Sequence, residues 1–105
     1  MSLLHETKKI TLPGSSTVPV LVFRSNVMSM QNVMFQCMTA DAYILGRDKL
    51  KDNGYLFQVG QQRIYSSSDF VRPGVTSGTF EMWMCAASGV DSVIQIESST
   101  WGDGI

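Results

Sequence analysis

Thr79-Phe80-Glu81-Met82-Trp83-Met84-Cys85-Ala86, then a Ser88-Gly89 turn, then Asp91-Ser92-Val93-Ile94-Gln95-Ile96-Glu97: this stretch decides the fold. Apolar residues recur at alternate positions in both runs, the period of a β-strand with one buried face. Two such runs across a short turn predict a β-hairpin over residues 79–98. Phe80, Met82, Met84 and Ala86 form one inward set, and Ser92, Ile94 and Ile96 the other. Placing both sets on one face of one sheet requires an odd-numbered loop, because side chains alternate with period two. That register pairs Met84 with Ile94 and Met82 with Ile96. It also sets Glu81 opposite Glu97, a mild like-charge penalty. On the outward face Trp83 is expected beside Val93 and Gln95, in line with Glu81 and Cys85.

The rest of the chain reads as further short strands. Residues 1–16 look like an N-terminal arm, with Lys8-Lys9-Ile10-Thr11-Leu12 able to form an edge strand before the Pro13-Gly14-Ser15-Ser16 turn. Thr17 to Phe23 is β-branched and apolar, but Pro19 cannot donate to a ladder, so this is an edge strand or the start of one. Gln31 to Thr39 alternates Val33, Phe35 and Cys37 on one face with Met34, Gln36 and Met38 on the other. A helix competes there, since Met and Gln are helix formers, but no clean helical face or cap is present. Ala42 to Gly46 follows after a break at Asp41. Asp52-Asn53-Gly54 is a turn, Tyr55-Leu56-Phe57 a strand, Gly60 a break, and Gln61 to Tyr65 extended again. Phe70-Val71 is expected to pack and Arg72-Pro73-Gly74-Val75 to turn. Six to eight short strands without a convincing helix suit a sandwich or small barrel. The expected architecture is an all-β sandwich over residues 17–105, the jelly roll being one form of it, with an extended arm and a short Gly-rich tail carrying Trp101.

The 105 residues suffice for one domain. Charged residues are only 16% of the chain, below the usual quarter. With seven Met and two Trp, such a chain has surface to hide, which points to life inside an assembly rather than as a neutral monomer. The net charge is −1 and the cations form no stripe, which argues against direct nucleic-acid binding. No apolar run reaches membrane-spanning length. The first residues lack a signal-peptide pattern, so folding in the cytoplasm is expected. Parity turns Cys37 inward and Cys85 outward, which predicts two free thiols.

Catalytic chemistry finds little support. His5 stands alone in the arm, without Cys or carboxylate companions for zinc. The Asp residues lie mostly in loops, where they form turns, and Lys49 and Lys51 oppose calcium binding between Asp48 and Asp52. The glycines form no phosphate loop. No enzyme, cofactor or metal is expected. The contact candidates are Leu3, Leu4, Ile10 and Leu12 of the arm, Trp83, and Trp101 of the tail.

Tyr43-Ile44-Leu45-Gly46, the segment Asn53-Gly54-Tyr55-Leu56-Phe57-Gln58-Val59-Gly60, and Phe80 to Glu97 with its Ser88-Gly89 turn carry a resemblance. Over Ala42 to Glu97 the chain resembles small structural proteins of tailed bacteriophages. The loop from Arg47 to Asp52 is more charged than that pattern, and the first forty residues lie outside it. The resemblance implies a virion component made in the host bacterial cytoplasm, a capsid decoration (cement) protein or a small neck or tail part. Its implied partners are the major capsid protein and further copies of itself, with a trimer as one closed form. Unpaired strand edges offer one physical route to such contacts. A receptor- or carbohydrate-binding module of a tail or head fibre is the alternative.

Overall fold

The computed structural model describes residues 3–15, 18–26, 30–45, 54–66 and 79–101. Eight strands lie among them: β1 (Leu3–Leu12), β2 (Val20–Asn26), β3 (Met30–Cys37), β4 (Ala42–Leu45), β5 (Tyr55–Phe57), β6 (Gln62–Ser66), β7 (Thr79–Ala86) and β8 (Ser92–Trp101). They form two four-stranded sheets, β1-β8-β3-β6 and β2-β7-β4-β5. The expected packing of Phe70-Val71, the turn at Arg72 to Val75, the charged loop from Arg47 to Asp52 and the tail after Trp101 lie outside the described residues.

The strand order has a simple origin. The antiparallel pairs β1–β8, β2–β7, β3–β6 and β4–β5 are successive rungs of one long hairpin whose tip is the β4–β5 connection. The further pairs β3–β8 and β4–β7 roll that hairpin up into two sheets. This winding is the jelly roll.

The hairpin expected over residues 79–98 does not form. β7 belongs to the second sheet and β8 to the first, so the Ser88-Gly89 turn carries the chain across the sandwich. The inward faces are nevertheless those the alternation requires: Phe80, Met82, Met84 and Ala86 are buried, as are Ser92, Ile94 and Ile96. Alternation reports which face is buried, and a partner across the core satisfies it as well as one alongside. Glu81 therefore lies opposite Arg24, and Glu97 sits between Thr7 and Met34. The crossing is held by the β1–β2 turn. The Gly14 N–H donates to Asp91 Oδ1 at 2.8 Å, and a Cβ on Gly14 would come within 2.5 Å of the Gly89 carbonyl oxygen.

Over Leu3–Leu12 the segment expected as an arm is an edge strand paired with β8 along its whole length. Leu12 is fully buried and Ile10 packs against the core, so the inward alternation that starts in β1 is what seats it. In β2 the register shifts between Leu21 and Phe23, a bulge that lets Val22 and Phe23 both reach the core. Four rings then interlock across the two sheets: Phe35 lies 5.9 Å from Phe23, 6.1 Å from Tyr65 and 6.4 Å from Phe80, centroid to centroid. The Gln61 N–H donates to the Gln58 carbonyl, and Gly60 supplies the positive φ of 87° that a type II turn needs at its third residue.

Buried polar groups find partners. Ser92 Oγ and Cys37 Sγ both donate to the Ala40 carbonyl, at 2.6 and 2.9 Å. Burial pushes the Cys37 thiol above its ordinary range. Asp41, read from sequence as a break, accepts from the Val59 N–H at 2.9 Å and ties the β5–β6 turn to the β3–β4 connection. Cys37 and Cys85 are not joined in a disulfide.

Candidate interaction surface

The six residues singled out from the sequence fall in different places. Leu12 is wholly inside the core and Ile10 is half-buried against it, so Leu12 presents nothing to a partner. Leu4 is 47% exposed on the β1 edge. Leu3 and Trp101 are register partners at the end of the β1–β8 ladder, and their side chains lie outside the described residues. Trp83 projects from the outer face of the second sheet, half-buried.

The neighbours of Trp83 are not Val93 and Gln95. They are Leu21 of β2 and Leu45 of β4, its cross-strand partners. One step along, Cys85, Tyr43 and Leu56 make a second apolar row from β7, β4 and β5. Cys85 has the outward parity read from the sequence, yet it is only 1% exposed. Leu45 and Cys85 are both buried without belonging to the core cluster, which marks this outer face as a second apolar layer. Part of the cover is Gly54, since a Cβ there would lie 2.5 Å from Leu45 Cδ2 and 2.9 Å from Tyr43 Cβ. Leu21 and Leu56 remain 37% and 45% exposed. One end of the layer is polar. Trp83 Nε1–H donates to Glu81 Oε1 at 3.2 Å, and Arg24 Nε lies 3.6 Å from Glu81 Oε2.

The outer face of the first sheet is chemically opposite. Its cross-strand rows are Lys9-Gln95-Gln36-Gln62, Thr7-Glu97-Met34-Ile64 and His5-Ser99-Asn32-Ser66. Met34 and Ile64 are the apolar exceptions in those rows, and Val93, the partner of Thr11, is a third apolar residue on this face. His5 Nδ1 is 2.8 Å from Ser99 Oγ, but Ser99 is only 7% exposed and offers no accessible nucleophile. Among the described residues no group of three His, Cys, Asp or Glu could hold a metal ion.

The sheet edges are guarded. Glu6 and Lys8 sit at inward-facing positions on the free edge of β1, joined at 3.1 Å, and Arg63 is the inward partner of Phe35 on the edge strand β6. Pro19 precedes β2, and β5 is only three residues long. Charges pointing inward, proline, bulges and short strands all oppose the addition of a foreign strand. Between the β1 and β2 edges the two sheets leave an open groove of about 390 Å³, floored by Val22, Phe23 and Ile96 and rimmed by Glu6, Lys8 and Arg24.

The apolar layer was missed in the sequence because its members come from β2, β4, β5 and β7, which only the rolled topology makes adjacent. The available signal was local: Leu21 and Leu45 each stand out of phase with the inward residues of their own strands. No protein-family model matches the chain, and no curated protein or solved structure is significantly similar to it.

Proposed function

We propose that this chain is a structural protein of a bacteriophage virion, a capsid decoration protein that bridges major capsid subunits and stabilises the head. The observation that carries this reading is the difference between the outer faces. One is an apolar layer centred on Trp83, Leu21 and Leu56, and the other is a mainly polar surface of Gln, Thr, Ser and Lys interrupted by Met34 and Ile64. A subunit seated on a particle needs one face for its neighbours and one for water. The jelly roll is shared by viral capsid and lectin domains, so the architecture is compatible with this role without assigning it. Guarded edges favour docking through the face over strand addition.

The test is to add purified protein to undecorated capsids. Stoichiometric binding with greater resistance to heat supports the reading, provided that Trp83→Ala with Leu21→Ser weakens binding while the variant stays folded. A protein that ignores capsids refutes it. The second reading, a carbohydrate- or receptor-binding module, draws on Tyr55, an aromatic side chain 74% exposed at the β5 edge. Glycan binding that Tyr55→Ala abolishes would replace the decoration role.

A further inference from the structure

The space between the sheets is not apolar throughout. Along β8 the inward positions change from Ile94 and Ile96 to Ser98 and Thr100, and along β1 from Leu12 and Ile10 to Lys8 and Glu6. On β3 the partners of Ser98 and Thr100 are Val33 and Met30, and both are buried and apolar. The change to polar residues is therefore confined to the side of the first sheet that borders β2. Opposite it the second sheet presents Val22, Phe23 and Ser25. The groove of about 390 Å³ lies between these walls. A hydroxyl or charge on an inner face costs stability unless it is solvated or bonded. Here Ser98 and Thr100 are half-buried along the groove, and neither hydroxyl has a hydrogen-bond partner among the described residues.

Size and charge select the ligand. The volume falls within the range of about 300–1,000 Å³ usual for small-molecule sites. The β1 wall from Glu6 to Ile10 is about 14 Å long, which suits an elongated molecule. On one rim Lys8 Nζ is 3.1 Å from Glu6 Oε1, and on the other Arg24 Nε is 3.6 Å from Glu81 Oε2. Each cation already has its carboxylate, so a charged ligand of either sign meets a like charge beside every opposite one. An uncharged ligand rich in donors and acceptors meets no such conflict: Glu6 accepts, Lys8 donates, and the Ser98 and Thr100 hydroxyls do both. The floor of Val22, Phe23 and Ile96 requires an apolar surface on the same molecule. Linked sugar rings combine the two, with hydroxyls at their edges and C–H groups on their faces. An extended peptide is opposed by the inward charges of β1 and the bulge in β2.

We propose that this groove binds a neutral oligosaccharide, with Glu6, Lys8, Ser98 and Thr100 holding its hydroxyls and Phe23 and Ile96 meeting a C–H face. The site is separate from Tyr55, which lies on β5 at the opposite edge of the second sheet from β2. It is also separate from the apolar layer around Trp83, so it rests on neither reading of the function given above.

The test is a titration of isotope-labelled protein, followed by its amide resonances. The probes are neutral trisaccharides of α- and β-linked glucose, mannose, xylose and N-acetylglucosamine, with trigalacturonate as the charged control. At least one neutral sugar should give saturable shifts at millimolar concentration, centred on residues 6–10, 22–25 and 96–100, and trigalacturonate should give none there. Ser98→Ala with Thr100→Val removes both hydroxyls and should weaken that binding about tenfold, the effect of two lost hydrogen bonds. Lys8→Met alters an exposed side chain, leaves the fold intact, and should weaken binding severalfold. Tyr55→Ala should leave it unchanged. The proposal is overturned if no neutral sugar gives saturable shifts in the groove, if trigalacturonate binds there as tightly, or if the shifts centre on Tyr55. Full affinity in both the folded Lys8→Met variant and the hydroxyl double variant also overturns it.

Discussion

Phe35 is the point at which the two sheets meet, and its truncation should be among the most damaging single changes. The side chain is 0% exposed. Its ring lies edge-on to Phe23 at an interplanar angle of 80° and to Tyr65 at 69°, and tilted against Phe80. Phe23 and Phe80 belong to the second sheet, Tyr65 to the first. Removing a buried phenyl group costs about 3–5 kcal/mol in lost transfer energy and residual cavity. A domain of this length has about 5–15 kcal/mol in all. Phe35→Ala should therefore lose roughly 4 kcal/mol, a large part of the total. Phe35→Leu keeps most of the volume and gives up the ring geometry, so it should lose only about 1–2 kcal/mol. Urea unfolding followed by tryptophan fluorescence and by circular dichroism measures both variants. The slope of free energy on urea should stay constant if the change lies in stability alone. A loss below about 1 kcal/mol for Phe35→Ala would mean that Phe35 is not packed between sheets, and the shared core would have to be abandoned.

Three further outcomes follow from particular contacts. Gly14→Ala forces a methyl group against the Gly89 and Val90 backbone and should cost about 1–3 kcal/mol, read as a lower melting temperature. Deleting residues 1–12 removes Leu12, Ile10 and the β1–β8 ladder; it should destabilise the sandwich by several-fold more than Lys9→Ala, which only trims an exposed side chain, in the same urea assay. Burial raises the Cys37 thiol in the folded state above its ordinary value of 9.0, so the native protein holds this proton more tightly than the unfolded chain does. Its contribution is complete below that value and is lost as the pH rises toward the folded one. Cys37→Ala should flatten the fall in stability between neutral and alkaline pH relative to wild type.

Much of the fold was legible because period-two alternation is a physical consequence of burying one face. Val33, Phe35 and Cys37 in β3, and the inward residues of β7 and β8, sit where the pattern puts them. Gly60 marked a break between strands and Pro19 an edge strand or its start because each has a backbone property that other residues lack. Strand pairing was less legible. Loop length and alternation leave a hairpin and a crossing between sheets equally satisfied at Ser88-Gly89, and the choice is made by distant strands. β7 prefers β2 and β4, and β8 prefers β1 and β3, once the whole chain rolls up. The inward part of β1 was underread for a related reason, since Glu6 and Lys8 conceal its alternation.

The environment of the candidate surface turns on that one crossing, which a charge experiment can check. In a hairpin Glu81 faces Glu97, and Trp83 stands among Val93 and Gln95; in the rolled sandwich Glu81 faces Arg24, and Trp83 joins Leu21 and Leu45. The Arg24–Glu81 pair is partly exposed, with side chains 64% and 26% accessible, and should be worth about 0.5 kcal/mol, declining with added salt. Arg24→Glu sets two carboxylates side by side and should cost about that much again. A double-mutant cycle between Arg24 and Glu81 should give a coupling that salt screens, whereas a cycle between Glu81 and Glu97 should give none. Coupling of Glu81 to Glu97, with none to Arg24, would put β7 beside β8. The apolar layer would then be dismantled, because Leu21 and Leu45 could no longer flank Trp83.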